Sequence, residues 1–469
     1  MDDRVTALEK LASREFDLLV VGGGIVGAGI AEAATAHGLS VALVDKGDFA
    51  GATSSASSKL IHGGLRYLRL GDVGLVREAH HERRLLMRVV APHLVRRLPF
   101  LFPLYDGGPY RPWFVQSGIA VYSTLARARL NGLVKLDRAH KLVPQLRPAG
   151  LRSCALYEDA WTNDGRLTIA NLRAAADRGA VVANYAEVVA LSPLEVRADG
   201  RTFGVRARSV VNATGPWVDH LRLLEDPRAP RSMRLSKGVH VVVDGGEDWN
   251  AALTIPHDKV RVTFAVPWEG MLLLGTTDTP FEGEPETVAV TDDDVRQVLR
   301  EASVAVDGLG EPRATFAGLR VLPGGDGATV SARRETVFST GPTGMVSVAG
   351  GKLTTYRRIA LGALDQLGVR GLSRRARPLP GAGGLDRIAW RHELDAATRT
   401  HLLHLYGSLA SEMLAPAVDD PSLLEPLVPG RPDVRAQDLY ARTHEWALTA
   451  DDVARRRTTA WLAGAGVTA

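Results

Sequence analysis

The apolar run FDLLVV at Phe16–Val21 has the short, unbroken hydrophobicity of a buried strand. Three glycines follow, and Gly27–His37 is a run of small residues that reads as a helix before the next apolar run, Ser40–Val44. The order is strand, turn, helix, strand. Such a β-α-β unit sets the amides of its first turn at a helix N-terminus, where unpaired donors and the helix dipole favour a pyrophosphate. Further along, Gly71–Val90 has helical spacing. Ala91–Trp113 is interrupted by Pro92, Pro99, Pro103, Pro109 and Pro112 and reads as loop or extended chain, ahead of a helix at about Val115–Leu130. Ser209–Ala213 is another buried-strand candidate, ending in TGPW. Gly238–Val243, Lys259–Val266 and Met271–Gly275 are strands with no helix between them, the pattern of an antiparallel sheet beside the nucleotide unit. Beyond the breaker-rich linker Ser373–Gly384 the chain reads as mostly helical.

A chain of 469 residues, 45% hydrophobic and 23% charged, exceeds one simple core, so two or three domains are expected. Its single cysteine, Cys154, excludes an intramolecular disulfide and thiolate-rich metal sites, and no metal is expected. The opening MDDRVTALEKLASREFD mixes acids and bases and lacks the apolar core of a secretory signal. The longest uncharged stretch, Thr336–Gly351, is broken by glycines and a proline and is too short for the roughly 18–20 apolar residues of a membrane span. The net charge of +4 favours anionic partners without choosing among them. With no zinc-finger spacing, RNP-like aromatic motif or basic tail, nucleic acid is not an expected partner.

Gly22, Gly24 and Gly27 have the G-x-G-x-x-G spacing, and Asp45 stands 18 residues beyond the last of them at the end of the second strand, where an acid accepts ribose hydroxyls. This fingerprint leaves NAD and FAD open. The stretch TSSASSK that follows supplies Thr53, Ser54, Ser55, Ser57, Ser58 and Lys59, compact donors for a pyrophosphate or a ribityl chain.

Several longer motifs follow in order: ATSSASSKLIHGGLRYL from Ala52, YEDAWTNDGRL at Tyr157–Leu167, VVNATGPWV at Val210–Val218 and LSKGVHVVV at Leu235–Val243. After them come LLLGTTDT at Leu272–Thr279, FAGLRVLP at Phe316–Pro323 and GGKLTTYRRIA at Gly350–Ala360. Together they resemble the FAD-dependent glycerol-3-phosphate dehydrogenases of aerobic bacteria. The likeness continues more weakly into HEWALTADDVARRRT, His444–Thr458.

The resemblance implies an α/β fold with a Rossmann-like FAD-binding domain of the glutathione-reductase/amino-acid-oxidase type, an antiparallel β cap domain for substrate and a C-terminal α-helical domain. The expected limits are 1–95, 150–235 and 315–370 for the FAD domain, 96–149 and 236–314 for the cap, and 385–469 for the helical domain, with a linker at 371–384. FAD is then held by the glycine loop with Ile25 and Val26, by Asp45 and Lys46, and by the segment Thr53–Gly64, including Leu60, His62, Gly63 and Gly64. Ala213, Thr214 and Gly215 complete it, together with Gly351, Lys352, Leu353 and Thr354. The GGKLTT turn lies between a strand, Met345–Ala349, and a helix, so it offers a second helix N-terminus to the electron-rich side of the flavin, capped by Thr354 or Thr355.

By the same resemblance Arg66, Arg320 and Arg333 contact the substrate phosphate, with Tyr67, His240, Thr277 and Lys352 as further pocket residues. The implied reaction converts glycerol 3-phosphate to dihydroxyacetone phosphate by hydride transfer to flavin. His240 is the first choice of base on intrinsic pKa, against the reading of a core histidine in an apolar strand. Electrons pass to a membrane quinone, which implies a cytoplasmic enzyme held peripherally on the inner face of the membrane. The basic-aromatic segment Arg96–Arg129, with Phe100, Phe102, Tyr110, Trp113, Phe114 and Tyr122, is the candidate for contact with an anionic lipid surface. The alternative is a proline-rich connection packed on the core. Asp45 replaces the glutamate usual at its position, and the C-terminal domain is shorter than in the family, which leaves a homodimer open. Rival readings are an oxidase that uses oxygen, a flavoprotein that binds FAD without turnover, and an amine or amino-acid oxidase, which needs a carboxylate clamp in place of a phosphate site.

Overall fold

The computed structural model describes residues 3–65, 68, 72–127, 132–324, 336–388, 390 and 392–464. A six-stranded sheet carries the strands Thr336–Thr340, Val346–Gly350, Arg206–Asn212, Glu15–Val21, Val41–Val44 and Val181–Ala183 in that order, all parallel except the first. Its central strand is covered on both faces, which is why FDLLVV reads as continuous hydrophobicity. Leu18 and Val20 pack under the helices Ile25–Ala36, Asp164–Ala176 and Tyr356–Gln366. Leu19 and Val21 face the opposite layer with Ala7, Leu11, Leu221 and the small antiparallel sheet of Ala186–Leu191, Leu194–Ala198 and Arg201–Gly204. Each such side chain stabilises the fold by about 1.5–3 kcal/mol relative to exposure.

A ten-stranded, mostly antiparallel sheet packs beside it and takes in Met233–Val243, Val262–Trp268 and Met271–Gly275. It also takes in Leu60–Ile61, Leu151–Trp161 and Pro312–Pro323, so it runs past 96–149 and 236–314. Within the proline-broken stretch, Arg96–Tyr105 is a strand of this sheet. Its second neighbour touches only Phe100 and Leu101, so the prolines at 99 and 103 fall where no second ladder partner calls for an N–H.

This strand changes the reading of the basic-aromatic segment. Phe100, Phe102 and Tyr122 are buried in the core, whereas Trp113 and Phe114, on the helix Pro112–Ala126, are exposed at 65% and 44%. Arg129 lies outside the described residues. The segment is therefore not one lipid-facing surface, and only its helix presents apolar rings outward. Among the described residues no helix is long and apolar enough to cross a membrane.

The C-terminal helices dock through buried charge. His401 of the helix Ala396–Tyr406 lies 2.8 Å from Asp433 and 3.6 Å from Glu269, which projects from the turn between two strands of the large sheet. Arg431 donates to the Glu269 carbonyl. Burial works against the imidazolium, but Asp433 and Glu269 overcome it and push its pKa up to about 9. A pKa raised above the unfolded value near 6.5 contributes stability that is complete below about pH 6.5 and is lost as pH rises through about 9. The expected loss is on the order of 3 kcal/mol. Urea unfolding at pH 6 and pH 10 should show a difference that His401→Gln largely removes; an equal pH difference in parent and variant excludes this role.

Candidate active site and cofactor cavity

The glycine loop is fixed by contacts that no side chain would allow. Gly22 has φ +108°, and a Cβ there would stand 2.6 Å from the Ala213 carbonyl oxygen. A Cβ on Gly27 would overlap the Gly22 carbonyl oxygen, so Gly27 closes the turn from below and does not itself line the cavity. Gly24 is the N-cap of the helix Ile25–Ala36, and the Ile25 amide donates to Ser54 Oγ over 2.9 Å. Asp45 accepts from the amides of Gly23 at 2.6 Å and Gly47 at 2.9 Å. Burial pushes its carboxyl up to about 6, against the pull of the two amides, so it is mostly ionised at neutral pH and able to accept ribose hydroxyls.

These residues open on a cavity of about 1080 Å³, above the roughly 300–1,000 Å³ of a pocket for one drug-sized molecule. Gly22, Gly24, Ile25, Val26, Asp45 and Lys46 line it on one side, followed by Thr53, Ser54, Ser57, Ser58, Leu60 and His62. Ala213, Thr214, Gly215, Gly351, Lys352, Leu353 and Thr354 line it as well, together with His240 and Arg320.

Other expected residues fall elsewhere. Ser55, Gly63 and Gly64 do not line the cavity. Lys59 is buried, donates to the Ser55 carbonyl and pairs with Asp164 at 2.6 Å, because an ammonium inside the fold needs a counter-charge. Asp164 also accepts from Ser57 Oγ at 2.6 Å and the Ser57 amide at 3.1 Å, and so organises the serine segment from beneath. Its place within YEDAWTNDGRL was the only sequence signal for that role. Thr277 is buried, and its hydroxyl accepts from the Val239 amide, within the sheet and off the cavity. Thr354 does not cap the following helix; it accepts from the His62 amide at 3.0 Å and donates to the His62 carbonyl at 3.2 Å, tying the GGKLTT turn to the flavin segment. Arg66, Tyr67 and Arg333 lie outside the described residues.

His240 stacks on Phe316 with ring centroids 4.8 Å apart, and its Nε2 pairs with Ser58 Oγ at 2.9 Å, while its Nδ1 is buried without a hydrogen-bond partner. Burial, with Arg320 and Lys59 nearby, holds the imidazole well below its ordinary pKa and therefore neutral. Arg320 donates to Thr276 Oγ1 at 2.8 Å and lies 3.8 Å from Asp278, which accepts from Ser236. Sequence reasoning did not single out Asp278 or Thr276. Among the described residues no group of three or more His, Cys, Asp or Glu is placed to hold a metal ion.

Residues 17–357 match the family model described as FAD dependent oxidoreductase, and residues 374–466 match the C-terminal domain of alpha-glycerophosphate oxidase. Over 97% of its length the chain is 37% identical to the glycerol-3-phosphate dehydrogenase of Mycobacterium leprae, 82% of which it covers. The chain belongs to the FAD-dependent glycerol-3-phosphate dehydrogenase/oxidase family. The aerobic glycerol-3-phosphate dehydrogenase of Staphylococcus epidermidis is 35% identical over 77% of this chain and 68% of its own. Among solved structures, the glycerol-3-phosphate dehydrogenase of Bacillus halodurans, complexed with FAD, superposes with a TM-score of 0.78 at 29% identity, covering 98% of this chain and 89% of that one. The L-alpha-glycerophosphate oxidase of Mycoplasma pneumoniae, with FAD bound, shares the fold at a TM-score of 0.60 and 18% identity, covering 78% of this chain and 99% of that one. The cofactor of this chain is FAD. The chain fits it: a glycine turn packed too closely for side chains, the Asp45 carboxylate and the GGKLTT turn line one cavity.

Proposed function

We propose that this enzyme oxidises sn-glycerol 3-phosphate to dihydroxyacetone phosphate and passes the electrons to a membrane quinone. The observation that carries the substrate reading is that Arg320 and His240 line the same cavity as the glycine loop and the GGKLTT turn. Bound FAD supplies the hydride-accepting chemistry at the carbinol carbon. Arg320 offers a planar fork to the phosphate or to the developing alkoxide, and Arg66, Arg333, Tyr67 and Lys352 are assigned to the same pocket by the family's motifs. His240, neutral and part of the cavity lining, takes the hydroxyl proton; a phosphate dianion beside Arg320 offsets that cation and raises the imidazole's affinity for a proton. The division of labour is a cofactor domain within 1–95, 150–235 and 315–370, a substrate region built on 96–149 and 236–314 whose sheet also takes strands Leu60–Ile61, Leu151–Trp161 and Pro312–Pro323, and a helical domain at 385–469.

Arg320→Lys keeps the charge and loses the fork, so kcat/KM for glycerol 3-phosphate should fall about tenfold or more, a loss of about 1.4 kcal/mol or greater in transition-state binding. Steady-state assays with a soluble dye acceptor read this, and unchanged kinetics remove Arg320 from the pocket. Oxygen as acceptor is the second reading, favoured by the match of the C-terminal region to the oxidase model. Stoichiometric hydrogen peroxide release in air would establish it over quinone.

The supporting feature for membrane contact is the helix Pro112–Ala126, which exposes Trp113, Phe114 and Val121, with Arg111 and Arg127 exposed at its two ends. Arginines near an anionic surface contribute about 1 kcal/mol each and are screened by salt, whereas buried rings are not. Trp113→Ala with Phe114→Ala is therefore expected to lower salt-resistant binding to anionic vesicles and to lower quinone reduction, with dye-linked activity intact. A double variant that binds vesicles and reduces quinone like the parent would exclude this helix.

A further inference from the structure

The end of the cavity around Asp45 is walled by two parts of the chain remote in sequence. One is the cofactor fold, through Asp45, Lys46, Gly47, Asp48 and Tyr185; the other is the C-terminal region, through Asp451 and Arg456. We propose that the C-terminal domain closes the adenosine end of the FAD cavity, with Arg456 as a further FAD-binding residue, so that FAD retention and docking of that domain are coupled.

Arg456 is largely buried and rigidly held. Its guanidinium donates to Asp48, to Asp452 at 2.8 Å and to Asp451 at 3.3 Å. A planar guanidinium fixed in this way in a cavity wall, its charge already met by three carboxylates, suits stacking on a purine face better than a mobile ammonium would. The family fingerprint places the ribose at Asp45, and hence the adenosine half of FAD at this end.

The coupling runs through one short loop. Asp45, three residues before Asp48, takes the amide of Gly47. Asp48 is held by both nitrogens of the Arg457 fork, at 2.7 and 2.8 Å, and by Asn184, which also donates to the Trp446 carbonyl. Tyr185 Oη donates to Asp452 at 2.7 Å. A ligand that orders this loop therefore favours the docked position of residues 446–457, and by linkage the docked domain favours the ligand by the same factor.

The test uses the full-length protein stripped of FAD and titrated with FAD, read by flavin fluorescence, thermal unfolding and trypsin cleavage at the exposed Arg374 and Arg375 of the linker. Arg456→Ala is expected to raise the FAD Kd about tenfold or more, and Arg456→Lys, which keeps the charge beside Asp48, about threefold or more. In both variants the rise in Tm on adding FAD should shrink, and FAD should lose its protection of the linker against trypsin. An FAD Kd and linker protection equal to the parent in either variant overturn the proposal. So does a lowered Tm of the FAD-free protein with the full FAD-induced rise retained, since that outcome makes Arg456 a structural residue only. If Arg456→Ala does not fold, Arg456→Lys decides.

Discussion

Gly27→Val is expected to give a folded but colourless protein, with FAD affinity reduced at least a hundredfold, about 2.8 kcal/mol. The reason lies in the backbone. A Cβ at residue 27 overlaps the Gly22 carbonyl oxygen, and Gly22 has little room to shift, since it holds φ +108°, which only glycine adopts cheaply, with the Ala213 carbonyl 2.6 Å from where its own Cβ would stand. The turn must open, which carries the Gly23 amide away from Asp45 and the Ile25 amide away from Ser54. Gly24→Ala should be milder, because the atom its Cβ meets at 3.0 Å is the Ser54 hydroxyl, the end of a side chain that can turn aside. Flavin absorbance per protein after gel filtration, with circular dichroism to confirm folding, reads the effect. A Gly27→Val protein as yellow as the parent would show that the loop tolerates the side chain and that the close approach is not required.

The β-α-β unit was legible because its signals are local. The strand FDLLVV, the glycine spacing and Asp45 define it within about thirty residues, and the structure moves the helix start two residues earlier, to Ile25 with Gly24 as its cap, and the other ends by at most one residue. The antiparallel strands in the middle of the chain were legible for the same reason, although Arg96–Tyr105 was hidden by its prolines, which periodicity cannot place in a sheet without knowing which edge lacks a partner. Side-chain direction was the less legible part. Lys59 stands among cavity serines in sequence, but the carboxylate that turns it inward, Asp164, lies 105 residues further on. Thr276, Thr277 and Asp278 are consecutive, and only the registers of Met233–Val243 against Met271–Gly275 on one side and Pro312–Pro323 on the other decide that Thr276 meets Arg320 while Thr277 faces a backbone amide. The aromatics of Arg96–Arg129 alternate with arginines whether they face lipid or core; strand pairing sends Phe100 inward, and Trp113 lies on the exposed side of the helix Pro112–Ala126.

The docking of the C-terminal helices was the least legible feature, because it depends on single charges that composition cannot distinguish from surface arginines, and it carries the largest expected effect on stability. Arg166, on the helix Asp164–Ala176, makes a two-pronged pair with Glu445 at 2.5 and 2.8 Å, with both side chains at 4% exposure or less. Its third contact is the Leu405 carbonyl, and its guanidinium lies 4.2 Å from the centre of the Tyr406 ring. Glu445→Ala removes the carboxylate and leaves a guanidinium in the interior without its counter-charge, so the chain should lose about 3–5 kcal/mol of unfolding free energy. Removing both charges at similar volume, Arg166→Met with Glu445→Leu, should recover most of that loss, since the desolvation cost of the ions disappears with them. Chemical denaturation of the FAD-loaded protein measures both variants. A Glu445→Ala protein within about 1 kcal/mol of the parent would mean that water or another acid reaches Arg166, as for an exposed pair. A double variant as unstable as the single one would mean that the loss is one of packing around Tyr406 and not of charge.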